Sequence, residues 1–309
     1  VIAIGGSGCN PLVSYITAAQ WFRLKRGRAM AVLSAGTSLS GVMIYLLVLS
    51  ISKFGWRHTV QILGVASWVI ILPLGLFFRH KPQQYGFLPD GITVTKDHVS
   101  HPSDAEIDFS LRESAGASAF WYMAVVFTLW TFVHGGVVSQ LISALTLGGT
   151  MSRTAAGLAA AGAPLFSIVG RLGMGTLSDF ADKRLVLAVS LIIQAISLIV
   201  FVHATTPSLA ILGSLFYGVG SGGVIPVRTA LQADLFGPGN FGTIQGGLRL
   251  LSTGGGIAGP ILAGWFADIH GSYDLAYYVF FASLIVAAGF VMALRQPKLP
   301  KQHARDSMR

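Results

Sequence analysis

Charge is scarce in this sequence. Of 309 residues, only 11% are Asp, Glu, Lys or Arg, and twelve of those are acidic. A soluble domain carries roughly 25% charged residues and needs that polarity to cover its surface. A soluble globular fold is therefore excluded. Cysteine is nearly absent as well, and the lone Cys9 excludes an internal disulfide framework or a thiolate metal site. No HExxH, no GxSxG and no carboxylate pair falls inside the apolar runs. A membrane-embedded enzyme or receptor, the rival of another class, is disfavoured on that ground, and no cofactor or metal is expected. The net charge of +9 does not point to nucleic acid either, because no basic run is interleaved with aromatics.

What the chain has in abundance is apolar length. Hydrophobic residues make up 53% of it, gathered into stretches near the 20 residues that cross a bilayer as a helix. Nine spans are expected, at about 1–20, 30–52, 58–78, 120–145, 155–178, 185–203, 208–233, 243–267 and 275–294. The 38 glycines suit a membrane bundle, where small residues let helix backbones approach closely. The basic residues alternate by connection. Arg23, Lys25, Arg26, Arg28, Arg79, Lys81, Lys96, Arg112, Lys183, Arg184, Arg295, Lys298, Lys301, Arg305 and Arg309 share one side, against Lys53, Arg57 and Arg153 on the other. The positive-inside rule makes the first set cytoplasmic. A multi-pass protein of the cell (plasma or inner) membrane with a cytoplasmic C-terminus is expected, monomeric and in contact with lipid.

An internal repeat organises the spans. "GGSGCNP" (5–11) resembles "GSGGVIP" (220–226), and "SAGTSLSG" (34–41) with "FGWR" (54–57) resembles "STGGGIAG" (252–259) with "IHGSY" (269–273). The offset is about 215 residues throughout, as for Gly8 to Gly222 and Gly55 to Gly271. Parallel repeats of helical bundles are a transporter signature. Spans one to three then match spans seven to nine, whereas four to six have no partner upstream. Twelve helices in two halves are expected, with three missing ahead of Val1. Residues 1–78 would close the first half, 79–118 form a polar cytoplasmic linker, 119–295 the six-helix second half and 296–309 a basic tail. Within the linker, "DFSLRES" (108–114) is expected to form a short amphipathic turn.

One stretch carries a sharper signal. "GRLGMGTLSDFADKR" (170–184) sets Arg171 inside an apolar run, then a knot of charge at its end. Its "GTLSDFADKR" resembles the loop signature of the major facilitator superfamily, roughly G-x-L-x-D-x-x-G/D-K/R-R. The matching positions are Gly175, Leu177, Asp179, Asp182, Lys183 and Arg184. "WFRLKRGRAMAVLSAGTSLSG", "QQYGFLPDG", "SLRESAGASAFW" and "GPILAGWFADIHGSY" extend the likeness over most of the chain, toward the oxalate/formate antiporter and monocarboxylate-porter branches. The resemblance implies an all-α integral membrane bundle that moves its substrate by alternating access. It implies a conformational latch in Gly175, Asp179, Asp182, Lys183 and Arg184. Physically, Asp179 ends a span and can face the positive N-terminus of a neighbouring helix.

The same branch implies a small organic anion as substrate. Monocarboxylate porters bind the carboxylate through an arginine in the eighth helix, the place of Arg171. Arg171 lies eight residues from Asp179, about 12 Å of helix; snorkelling to the headgroups is the bland alternative, and a place on a substrate path is preferred because intramembrane charges usually face a cavity. Arg249, about 13 Å inside its own span, is the second candidate, although the antiporter's lysine in that helix aligns nearer Gly254. Arg228, six residues before Asp234, is expected to snorkel or to pair with that carboxylate, with substrate contact as the lesser alternative. Softer candidates are His134 and Gln140, which share a helix lining the pseudo-symmetry interface, then Asn10, Tyr15, Tyr45, Gln194 and Gln232. Every acidic residue falls in a connection or at a helix end. The porters' aspartate one turn before the arginine is here Ser167. Anion exchange or facilitated passage is thus expected over aspartate-mediated proton symport, with a neutral-metabolite or drug exporter of the same fold as the rival.

Overall fold

The computed structural model describes residues 12–38, 40–77, 85, 90, 108–147 and 151–297, and the regular elements among them are helices. In chain order these are α1 (Leu12–Trp21), α2 (Arg26–Ser38), α3 (Ser40–Phe77), α4 (Leu111–Ala115), α5 (Ser118–Thr146), α6 (Arg153–Leu177), α7 (Lys183–Val202), α8 (Pro207–Phe236), α9 (Phe241–His270) and α10 (Asp274–Ala293). Helices α5 to α10 are each long and apolar enough to span a membrane, and they fall where the hydropathy pattern puts the last six spans. The expected spans 30–52 and 58–78 look different. They run through α2 and α3, and the division between them is a single break at Gly55, with φ 72° and ψ 163°. Glycine alone adopts that conformation without a Cβ penalty. Asn10 and the tail from Lys298 lie outside the described residues.

Helix ends follow local chemistry. Thr206 caps α8 with Pro207 at its first position, Ser152 caps α6, and Gly271 closes α9 with φ 68°. These are the residue types that satisfy free amides or carbonyls at helix termini. The helices then pack through glycine. A Cβ on Gly255 or Gly259 of α9 would collide with the Thr128 or Phe132 carbonyl of α5. A Cβ on Gly222 of α8 would strike the Ser167 carbonyl of α6. With lipid as solvent there is no hydrophobic drive between helices, so such close approach is what holds them.

The main core lies within α5–α10, around Phe127, Leu191, Leu198, Ile244, Tyr277 and Phe280. A second, smaller cluster of Tyr15, Ala18, Ala19, Met30, Ala230, Ala233 and Phe241 joins α1 and α2 to α8 and α9. The expected amphipathic turn is α4, held by a capping box between Ser110 and Glu113.

Around α4 the linker grips the turn between α8 and α9. The Asp108 carboxylate accepts from Gly239 N–H at 2.6 Å, Asn240 Nδ2 donates to the Phe109 carbonyl, and Phe109 N–H donates to the Phe236 carbonyl. Asp90 does the same for the turn between α1 and α2, accepting from the amides of Arg23, Leu24 and Lys25. The two gripped turns are separated by the repeat offset read from the sequence.

Candidate functional site

Helix α2 begins without a cap of its own. Lys25 precedes it and has no side-chain acceptor, so the amides of its first turn need an acceptor from elsewhere. Asp179, just beyond the end of α6, supplies it. Its carboxylate accepts from Gly27 N–H at 2.7 Å and from Arg28 N–H at 3.2 Å, with Arg28 Nε 3.5 Å away. The Asp179 side chain is only 4% exposed, so these charge-assisted bonds act in a low-dielectric setting, where they are strong. Arg28 also lies over the Phe180 ring at 4.8 Å.

Beside this cap, Asp234 of α8 bridges two cations. Arg26 Nη1 and Lys183 Nζ each stand 2.7 Å from its carboxylate oxygens. Arg26 is fully buried and also donates to the carbonyls of Phe22 and Ala19. Asp182 and Arg184, both well exposed, pair with each other instead. Asp182 caps α7, while Arg184 bonds Asp182 and the Leu294 carbonyl at the end of α10. Arg184 holds the Asp182 carboxyl below its ordinary value. Of the expected latch residues, then, Gly175, Asp179 and Lys183 meet α2 or its partners, and Asp182 with Arg184 brace the six-helix group.

From this end, α2 and α6 run antiparallel and close together. Gly27, Ala31, Ser34 and Ser38 recur at i, i+4, i+7 and i+11, one face of a helix, and they meet Asp179, Gly175, Arg171 and Ser167 in order. Ser38 Oγ and Ser167 Oγ are 2.9 Å apart. A Cβ on Gly175 would overlap Ala31 Cβ. We therefore expect Gly175→Val to push α2 off α6. With spin labels at Leu24 and Leu185 and Cys9 replaced, the short-distance population should fall severalfold; an unchanged distance distribution would show that this contact does not govern closure.

Deeper in, Arg171 is buried and engaged. Its Nη1 donates to the Ser34 carbonyl at 2.5 Å and to Thr37 Oγ1 at 2.7 Å, while its Nε is buried without an acceptor. Arg228 corrects the sequence expectation. It neither snorkels nor reaches Asp234, whose oxygens are taken by Arg26 and Lys183. Its guanidinium instead lies 3.9 Å from the Phe127 ring centroid and 5.1 Å from that of Trp130. Six residues is nearly two helical turns, so Arg228 and Asp234 differ in both height and face.

Four of the softer candidates, His134, Gln140, Gln194 and Gln232, have partners inside the bundle. His134 is stacked between Trp130, at 4.9 Å, and Tyr217, whose hydroxyl is 3.1 Å from His134 Nδ1. Gln194 Oε1 accepts from Trp130 Nε1–H at 3.2 Å. Gln140 accepts from the Tyr273 hydroxyl at 3.2 Å, well away from the arginines along α5. Gln232 donates to the Phe241 carbonyl. Tyr45 belongs to α3. Sequence reasoning missed the Arg26–Asp234 pair and the α2 stripe; the small-residue spacing from Gly27 to Ser38 is the signal that marks the stripe.

Comparisons with known proteins agree with this architecture. A family model described as Major Facilitator Superfamily matches residues 131–308. The chain is similar to the MFS transporter asaE of Aspergillus flavus, at 23% identity over 95% of this chain and 63% of the relative. It is similar to the aspyridones efflux protein apdF of Emericella nidulans, at 28% identity over 88% of this chain and 52% of the relative. It thus spans less than two thirds of the length of either. Among solved structures, the human organic anion transporter MFSD10 (TETRAN) shares the fold, with a TM-score of 0.68 at 17% identity over 90% of this chain and 66% of that one.

Proposed function

We propose that this chain, which belongs to the major facilitator superfamily, moves a small organic anion of the monocarboxylate type across a cell membrane by alternating access. One observation carries the reading. Arg171 and Arg228 lie within the bundle, each with a buried Nε that finds no acceptor, and among the described residues neither has a carboxylate partner. The acidic residues of α5–α10, Asp234, Asp268 and Asp274, are all within a turn of a helix end. Buried cations without counter-ions are costly, and an anionic substrate supplies the missing charge.

Arg171 links binding to movement in this reading. In the closed arrangement its Nη1 is spent on Ser34 and Thr37 of α2. A carboxylate competes for the same donors and offers a charge-assisted bond where a carbonyl offers a weaker one. Substrate arrival thus loosens α2, and the Asp179 cap and the Asp234 bridge then open together. The basic connections support a cytoplasmic side for that end, which in this reading makes the arrangement outward-facing with the C-terminus inside.

Counterflow in proteoliposomes tests the reading. Uptake of labelled lactate or benzoate should saturate and be stimulated several-fold by unlabelled carboxylate inside the vesicle, with neutral solutes inert. Exchange of neutral solutes alone would favour the exporter.

A further inference from the structure

The three arginines are not equivalent, and their surroundings separate their roles. Arg171 is committed to α2. Arg249 is exposed on α9. Arg228 alone, among these three, is held rigidly while its hydrogen-bonding capacity stays unused. Its guanidinium makes no hydrogen bond or ion pair with a described residue, and its Nε is buried without an acceptor. Five N–H donors in a fixed fork are thus oriented and unspent.

The support beneath that fork is itself fixed. Phe127 is buried, at 1% exposure. Trp130 is pinned by its bond to Gln194 and by stacking on His134, which is pinned in turn by Tyr217. A cation over aromatic rings interacts with them through its charge, which leaves its N–H groups available to an acceptor. In-plane, two parallel N–H donors match a carboxylate and no neutral group equally well. Tyr15 of α1 packs in the same cluster as Ala230, two residues along α8 from Arg228, which sets this part of the bundle where the two sets of helices meet.

We propose that Arg228, seated on Phe127 and Trp130, is the principal carboxylate-binding fork of this protein, and that Arg171 senses the bound anion instead of holding it. This rests on the anion reading above. A planar carboxylate is favoured over a tetrahedral phosphate, since its two coplanar oxygens match the parallel N–H donors of the fork.

Equilibrium binding of benzoate, lactate and inorganic phosphate to the purified full chain tests the assignment. Arg228→Gln should weaken benzoate binding by about tenfold or more, and Arg228→Lys by a smaller factor, since the charge stays but the fork is lost. Arg171→Gln should weaken it by no more than about threefold, with transport lost. Phe127→Leu should weaken binding by a few-fold through a looser floor. Thermal unfolding in detergent checks each variant; if Arg228→Gln does not fold, Arg228→Lys carries the test. Equal losses in Arg228→Gln and Arg171→Gln, unaltered binding by Arg228→Lys, or tighter binding of phosphate than of benzoate would overturn the assignment. Failure of the unaltered protein to bind any of the three would overturn the anion reading, and this inference with it.

Discussion

Replacing Arg171 by Gln should abolish carboxylate exchange, a fall of at least about a hundredfold, in protein that still folds and inserts. Arg171→Lys should keep a measurable fraction. Two costs combine in Arg171→Gln. The Ser34 carbonyl and Thr37 hydroxyl lose a cationic donor, and an entering anion loses one of the charges that compensate it. A hydrogen bond to a charged group contributes about 1.5–3 kcal/mol, so losing the two that couple α6 to α2 accounts for about a hundredfold fall in exchange at about tenfold per 1.4 kcal/mol. Lysine restores the charge but not the planar donor set. Arg153→Gln, at the exposed start of α6, controls for general damage to that helix. Normal exchange by Arg171→Gln would mean that the arginine only ties α6 to α2, and the neutral-substrate exporter would become the better reading.

Asp179→Asn should separate cycling from binding. The substitution keeps an acceptor for the α2 amides but removes the charge that faces the positive end of that helix and the Arg28 side chain. Charge-assisted hydrogen bonds contribute about 1.5–3 kcal/mol, so the closed arrangement should lose roughly ten- to a hundredfold in population. Exchange should fall by a similar order while equilibrium affinity for the carboxylate changes only a few-fold. The two readouts are turnover in proteoliposomes and direct binding in detergent. A loss confined to affinity, with turnover at saturation intact, would put Asp179 in the binding site and defeat the latch.

The membrane character of the chain and its last six helices were legible from the start. Apolar runs near twenty residues without internal carboxylates have no other stable use. The latch was legible in part. The spacing of Gly175 and Asp179 pointed to a close approach and a helix-end carboxylate. It did not show that the helix receiving that carboxylate is α2, because Lys25 is an unremarkable residue until its helix is seen to begin uncapped.

Arg228 shows most clearly where one-dimensional reading stops. Six positions from an aspartate looks like a pairing distance along the chain. In three dimensions Asp234 was already claimed by Arg26, from 208 positions away, and by Lys183. The composition, the spans, the positive side and the glycine spacing are properties of each segment against lipid or water, so the amino-acid sequence alone determined them. Which cation each carboxylate takes, and which arginine keeps its donors free, depends on helices far apart in the chain meeting at one depth. Tertiary structure decided those, because a buried charge takes whichever partner the packing brings within about 3 Å.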